Sequence, residues 1–140
     1  MIRLQTRCQF QAVLAGRVLS RTDHFVLHCI GHDNPAWLAS TAGANPPAST
    51  DAHARVWLGA MVPKRWAKRA VTRNTIKRQI YAVATANVGW LLQGAHLVRL
   101  RSAFDRSEFV SATSDALRQA VREELHQLFE RMQRPALASC

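Results

Sequence analysis

Seven cations, Lys64, Arg65, Lys68, Arg69, Arg73, Lys77 and Arg78, stand within one stretch of the chain, with Asn74 among them and no Asp or Glu. Arginine forks match phosphate oxygens bidentately, lysine supplies a point charge, and an amide can donate and accept toward a base edge or a sugar hydroxyl. The mixture suits RNA better than a small anion. A merely solvated face usually carries both signs of charge, and this stretch carries one.

The 140 residues include 19 Lys plus Arg against 9 Asp plus Glu, a formal net charge of +10. By segment the balance is +3 over residues 1–30, −2 over 31–54, +8 over 55–90 and +1 over 91–140, so the excess sits around the cationic block. Such a field asks for a polyanionic partner.

Other chemistries fit less well. A self-sufficient enzyme needs a nucleophile with its base, paired carboxylates or a metal cluster, whereas Asp23, Asp33 and Asp51 are scattered. His24 and His28, four apart in a strand, would lie about 13 Å apart on one face, too far to share a metal. Cys8, Cys29 and Cys140 are odd in number and widely spaced. They suggest neither a disulfide framework nor a zinc knuckle and read as reduced thiols, two of them buried. No secretory h-region opens the chain and no run of some 20 apolar residues occurs, so the expectation is a cytoplasmic protein without membrane contact.

The elements that must position the cations follow from periodicity and caps. Thr6 followed by Gln9 is a capping-box pattern, and Phe10, Val13 and Leu14 then recur at helical spacing until Gly16. Strands are predicted over 24–30, 55–62 up to Pro63, and 95–101, the last with alternation at its end. Residues 31–54, rich in Ala, Ser, Thr, Pro, Gly and Asn, read as a flexible inserted loop in which Trp37 and Leu38 have no assigned role. Leu117, Val121, Leu125 and Leu128 recur at spacings of three and four after a possible cap at Thr113 or Ser114, which predicts a long C-terminal helix. Residues 1–134 then form a single domain, a sandwich of helices on a small sheet, with 135–140 as a tail.

The cationic block falls on a helix between the second and third of these strands. At about 100° per residue, Asn74, Lys77, Arg78 and Tyr81 group on one side and Thr72, Ile76, Ile80 and Val83 on the other. The apolar side can lock into the core while Arg73, Lys77 and Arg78 are held outward. Lys64, Arg65, Lys68 and Arg69 extend the surface into the preceding turn.

Val62-Pro63-Lys64-Arg65 followed by Ala70-Val71-Thr72-Arg73-Asn74-Thr75-Ile76-Lys77-Arg78 resembles the signature of the bacterial ribonuclease P protein component. Phe10-Gln11-Ala12-Val13 before Gly16, the Phe25-Val26-Leu27 strand, and Gly59 ahead of Pro63 occupy corresponding places. The resemblance implies an α+β fold, a single-domain α/β sandwich around a central, mostly antiparallel sheet with a left-handed β-α-β crossover, as in the second domain of ribosomal protein S5. It implies a holoenzyme in which a catalytic RNA subunit, binding Mg2+, removes the 5′ leader of precursor tRNA. The protein would assist, with no catalytic residue of its own and no protein partner required. It also implies that the Arg73 helix and its surrounding cations contact the catalytic RNA, and that a groove between the sheet and this helix takes the leader. Phe10 and Phe25 match the groove's aromatic positions, and His28 is assigned to the same leader cleft, standing where an aromatic is expected.

Aromatic faces stack on unpaired bases without regard to sequence. The competing reading for Phe10 and Phe25 is core packing, and strand aromatics such as Phe25 usually point inward. The chain departs from the family pattern at Thr75, where a second arginine is usual, at His28 and Leu14, which replace aromatics, at Tyr81, which replaces a cation, and in its long loop. A second class of function, a non-catalytic RNA- or DNA-binding module such as a ribosomal protein, would carry the same charge signal. The order of Phe10, Phe25 and the Lys64–Arg78 block is what separates the two.

Overall fold

The computed structural model describes residues 2–41, 56–87, 89, 91, 94–104 and 115–133. The tail at 135–140, the cap at Thr113 or Ser114, Cys140 and positions 42–54 of the expected loop lie outside the described residues. In chain order the elements are β1 (Ile2–Arg3), α1 (Arg7–Leu14), β2 (Arg17–Arg21), β3 (Phe25–Ile30), α2 (Pro35–Thr41), β4 (Val56–Met61), α3 (Ala70–Ala86), β5 (Gly94–Leu100) and α4 (Asp115–Gln133).

Five strands make one sheet in the order β1-β4-β5-β3-β2. Antiparallel pairing holds the β5-β3-β2 half, and parallel pairing holds β1 to β4 and β4 to β5. The sheet is therefore mixed. β4, α3 and β5 form the β-α-β unit, its two parallel strands side by side.

Both faces of the sheet are covered. Phe25, Leu27, Leu58, Val98 and Leu100 pack with Ile76, Ile80 and Val83 of α3 and with Leu117, Val121, Leu125 and Leu128 of α4. On the opposite face Ile30, Ala95 and Leu97 pack with Ala12 and Val13 of α1 and Trp37 of α2. A strand buried on both sides has no need of polar alternation, which is why β3 is apolar at every position except His28.

α1 starts as its sequence dictates: Thr6 accepts from the Gln9 backbone N–H at 3.2 Å, and the Gln9 side chain accepts from Thr6 N–H at 3.1 Å. Two edge strands carry too little apolar pattern to be foreseen. β1 has two residues, and β2, mostly exposed, is held chiefly by its ladder to β3.

The reading of 31–54 as loop throughout is corrected by α2. Asn34 accepts from Ala36 N–H at 2.9 Å, Pro35 occupies the first helical position where no donor is missed, and Trp37 is only 3% exposed. Its ring meets Trp57 edge-on, with centroids 5.4 Å apart. Cys8 is a free, exposed thiol, but Cys29 is buried and disulfide-bonded, which corrects the reduced-thiol reading there.

α4 is tied to the β2–β3 turn by one carboxylate. Glu124 accepts from Thr22 Oγ1 at 2.7 Å and His24 N–H at 2.9 Å, and lies 2.6 Å from His24 Nδ1. Among the described residues no helix is long and apolar enough to cross a membrane.

Candidate nucleic-acid interface

The cationic block begins in a tight turn after β4. The N–H groups of Trp66 and Ala67 both donate to Pro63 O at 3.1 Å, which leaves Lys64 and Arg65 exposed on the turn and buries Ala67. Arg65 lies over the Trp66 ring, its Cζ 5.3 Å from the centroid. Lys68 and Arg69 are exposed just ahead of α3.

Helix α3 separates its faces much as its periodicity requires. Ile76, Ile80 and Val83 are buried, while Asn74 and Arg78 are exposed and Lys77 half-buried. Thr75 also turns inward, its hydroxyl donating to Val71 O at 2.9 Å. Gln79 is buried too and accepts from Arg122 Nε and Nη2 of α4 at 3.2 and 3.0 Å, so the back of the helix is bolted to its neighbour.

Arg73 differs from the expectation of a free, outward cation. It is half-buried, and its Nη1 donates to Ala67 O at 3.1 Å and Lys68 O at 2.9 Å. One guanidinium nitrogen thus binds the preceding turn to the helix and sets where Lys68 and Arg69 stand. Both carbonyls precede the helix and lie outside its i→i−4 ladder, so a side-chain donor takes the place of a backbone one.

A groove of about 810 Å³ runs between β1 and the outer side of α3, lined by Arg3, Asn74, Lys77, Arg78 and Tyr81 among others. Arg3 lies over the Tyr81 ring at 4.1 Å to its centroid. Sequence reasoning gave Arg3 no role, since nothing in the pattern joins residue 3 to the helix.

The opposite side of the sheet carries the second group of expected residues. Phe10 is half-buried and lies against Gly59, where an added Cβ would stand 2.8 Å from Phe10 Cε1 and 2.6 Å from Leu4 Cδ1. Gly59, Leu97 and His28 are register partners across β4, β5 and β3. They form one row, so Phe10, lying against Gly59, shares a face with His28, and the strands of Gly59 and His28 stand about 10 Å apart.

His28 opens onto a groove of about 420 Å³ with Arg21, Val26, Arg99 and Arg101. Its Nε2 accepts from Arg99 Nε at 3.4 Å. Burial lowers the His28 pKa from the usual 6.5, and the nearby positive charges of Arg99 and then Arg21 act in the same direction. At neutral pH the ring is therefore an uncharged acceptor that holds the Arg99 fork in place.

Phe25 does not join them. It is fully buried in the core on the α3–α4 face, with the Phe104 centroid 6.0 Å away, which corrects its expected place in the groove. Residues 25 and 28 have opposite parity in β3, so they cannot face the same side.

The order of elements, the cationic helix and the sheet groove together narrow the field, and comparison with known proteins decides it. A family profile described as "Ribonuclease P" matches residues 1–133. The chain belongs to the ribonuclease P protein family. The "Ribonuclease P protein component" of Ralstonia pickettii is 35% identical over 136 residues, covering 97% of this chain and 82% of the relative. That of Bordetella parapertussis is 34% identical over 133 residues, covering 94% and 92%. Among solved structures the Staphylococcus aureus RNase P protein aligns over 93% of this chain and 94% of its own, with a TM-score of 0.60 at 18% identity. The Thermotoga maritima RNase P protein aligns over 94% and 97%, with a TM-score of 0.59 at 22% identity. The fold is thus that of the ribonuclease P proteins.

Within this ribonuclease P fold, the expected residues divide between two places. Lys64, Arg65, Lys68, Arg69, Arg73, Asn74, Lys77 and Arg78 lie along the turn and α3, whereas Phe10 and His28 lie on the other sheet face. Arg21, Arg99 and Arg101 were missed as groove residues. The alternation at the end of β5 places Arg99 and Arg101 on one face, a signal that was present but was overshadowed by the charge block.

Proposed function

We propose that the chain works in the cytoplasm as the protein subunit of a ribonuclease P holoenzyme. It binds the catalytic RNA subunit through the Lys64–Arg78 surface and takes the single-stranded 5′ leader of precursor tRNA on the sheet face beside Phe10 and His28. The RNA subunit performs the hydrolysis that releases the leader, and the polypeptide positions the substrate. The observation that carries this reading is the cationic turn and helix, free of acids, whose opposite side is locked into the core of a ribonuclease P fold. Preset cations lose little entropy on meeting phosphates, which favours rigid display on a helix over a mobile tail.

The proposed leader face joins the half-exposed Phe10 ring to a groove in which a neutral imidazole stands with the Arg21, Arg99 and Arg101 side chains and one carboxylate, Asp23. Stacking on such rings is tolerant of sequence, as a surface serving many leaders requires. Among the described residues no group of three His, Cys, Asp or Glu side chains gathers, and the proposal assigns Mg2+ to the RNA subunit.

Reconstitution with the cognate RNA at low Mg2+ tests the reading. Addition of the protein is expected to restore precursor cleavage. Lys77→Ala and Arg78→Ala should weaken RNA binding and reduce the salt slope by roughly 0.7–0.9 per lost phosphate contact. Cleavage indifferent to the protein, or slopes unchanged in both variants, would reject it.

A further inference from the structure

The groove between β1 and α3 has a composition that phosphate binding alone does not call for. Lys77 and Arg78 supply charge at its rim, Asn74 supplies an amide, and Ala82, Thr85 and Ala86 keep the remaining wall low. Within it the exposed Arg3 lies over the half-buried Tyr81 ring, its Cζ 4.1 Å from the ring centroid. Among the described residues no acid lines it, and its volume of about 810 Å³ lies within the range of small-ligand clefts.

A guanidinium backed by an aromatic ring is a stacking surface. The ring neutralises one face by cation–π attraction and fixes the plane, which leaves the other face open to a flat π-system. Arginine planes and aromatic rings are the two platforms on which proteins stack unpaired RNA bases. Here both occur together, with Lys77 and Arg78 on the adjacent turn of α3 to meet the phosphate of the same nucleotide.

We propose that this groove holds one unpaired nucleotide of the partner RNA, its base stacked on Arg3 with Tyr81 behind it and its phosphate between Lys77 and Arg78. Asn74 is placed to reach the base edge or the 2′-hydroxyl. The inference rests on the reading of α3 as the RNA-facing helix and adds to it a contact that depends on shape rather than charge. β1 gains a function by it: pairing Arg3 with Leu58 anchors the arginine at the sheet edge, where its side chain meets α3.

The test separates shape from charge by using variants that keep the net charge. In titrations of the full chain with the cognate RNA subunit, Arg3→Lys and Tyr81→Leu are expected to weaken binding by roughly 5- to 100-fold, the effect of losing one stacked base. Their salt slopes should match wild type, since no phosphate contact is lost. Tyr81→Phe, which retains the ring, should bind as wild type, and thermal melts would show that Tyr81→Leu still folds. Arg3 is exposed, so Arg3→Lys tests the platform even if Tyr81→Leu is unstable. Lys77→Ala serves as the control, losing affinity with a shallower slope. Wild-type affinity in both Arg3→Lys and Tyr81→Leu, with Lys77→Ala impaired, would overturn the stacking site alone. Wild-type behaviour in all three would instead bring down the assignment of α3 to RNA.

Discussion

The position of Phe10 depends on a hydrogen atom in β4, four elements further along the chain. Gly59 lies in the middle of β4, and a methyl group there would stand 2.6 Å from Leu4 Cδ1 and 2.8 Å from Phe10 Cε1. Both contacts are with side-chain ends, so Gly59→Ala is expected to fold, at an overpacking cost of about 1–3 kcal/mol. The ring must move off the sheet to make room. If Phe10 stacks on the leader as proposed, the variant should lose affinity for leader-bearing precursor by about tenfold, within the range for one stacked base, and keep its affinity for mature tRNA. Paired titrations with the two RNAs measure this, and equal affinities relative to wild type would remove Phe10 from the leader site. Phe25 shows how one residue can mislead. Its aromatic type fits a stacking groove, but its parity in β3 puts it in the core, so side-chain identity is a weaker guide than strand register.

At the scale of elements, what the sequence made legible follows from how many signals coincide. α1 carries a capping box and a helical apolar spacing, and α4 carries four apolar positions on one stripe, all buried. α3 was legible because its two faces differ in kind. β1 and β2 were not, because edge strands are fixed by backbone pairing and leave little trace in side-chain pattern. α2 was hidden by its composition. Its stability comes from one tryptophan, Trp37, packed against Trp57 on β4, and a lone apolar pair in a polar segment gives no periodicity to detect. Trp37→Ala should therefore cost about 3 kcal/mol, a typical loss for a buried large aromatic. Urea denaturation would read this as a lowered midpoint. A change under about 0.5 kcal/mol, the scale of ordinary surface substitutions, would mean that α2 merely rests on the domain. Arg73 lies between these cases: its place on the helix was legible, but its bonds to Ala67 O and Lys68 O depend on how the turn folds back.

At the scale of the whole molecule, the sheet keeps two cationic surfaces apart, one on α3 and one over His28 and Arg99, and a fully buried, uncharged histidine lies on its central strand, β5. His96 on β5 is fully buried between its register partners Cys29 and Leu58. Burial lowers its pKa from 6.5 to about 4, a shift opposed only in part by hydrogen bonding to the Trp57 carbonyl. In the unfolded chain the ring takes up a proton near its ordinary value, while the folded protein excludes that proton until far lower pH. The unfolded state thus binds more protons between the two values, and stability falls as pH falls. The contribution is complete above pH 6.5 and erodes toward pH 4 by about 1.4 kcal/mol per pH unit. His96→Gln removes the titration while keeping a side chain that can hydrogen-bond. It should be less stable than wild type at pH 7 yet lose less on acidification, so that the two stability curves converge below pH 6. Chemical denaturation at half-unit steps from pH 7 to pH 4.5 measures both slopes. Parallel curves would show that His96 is not the group through which acid reaches the core.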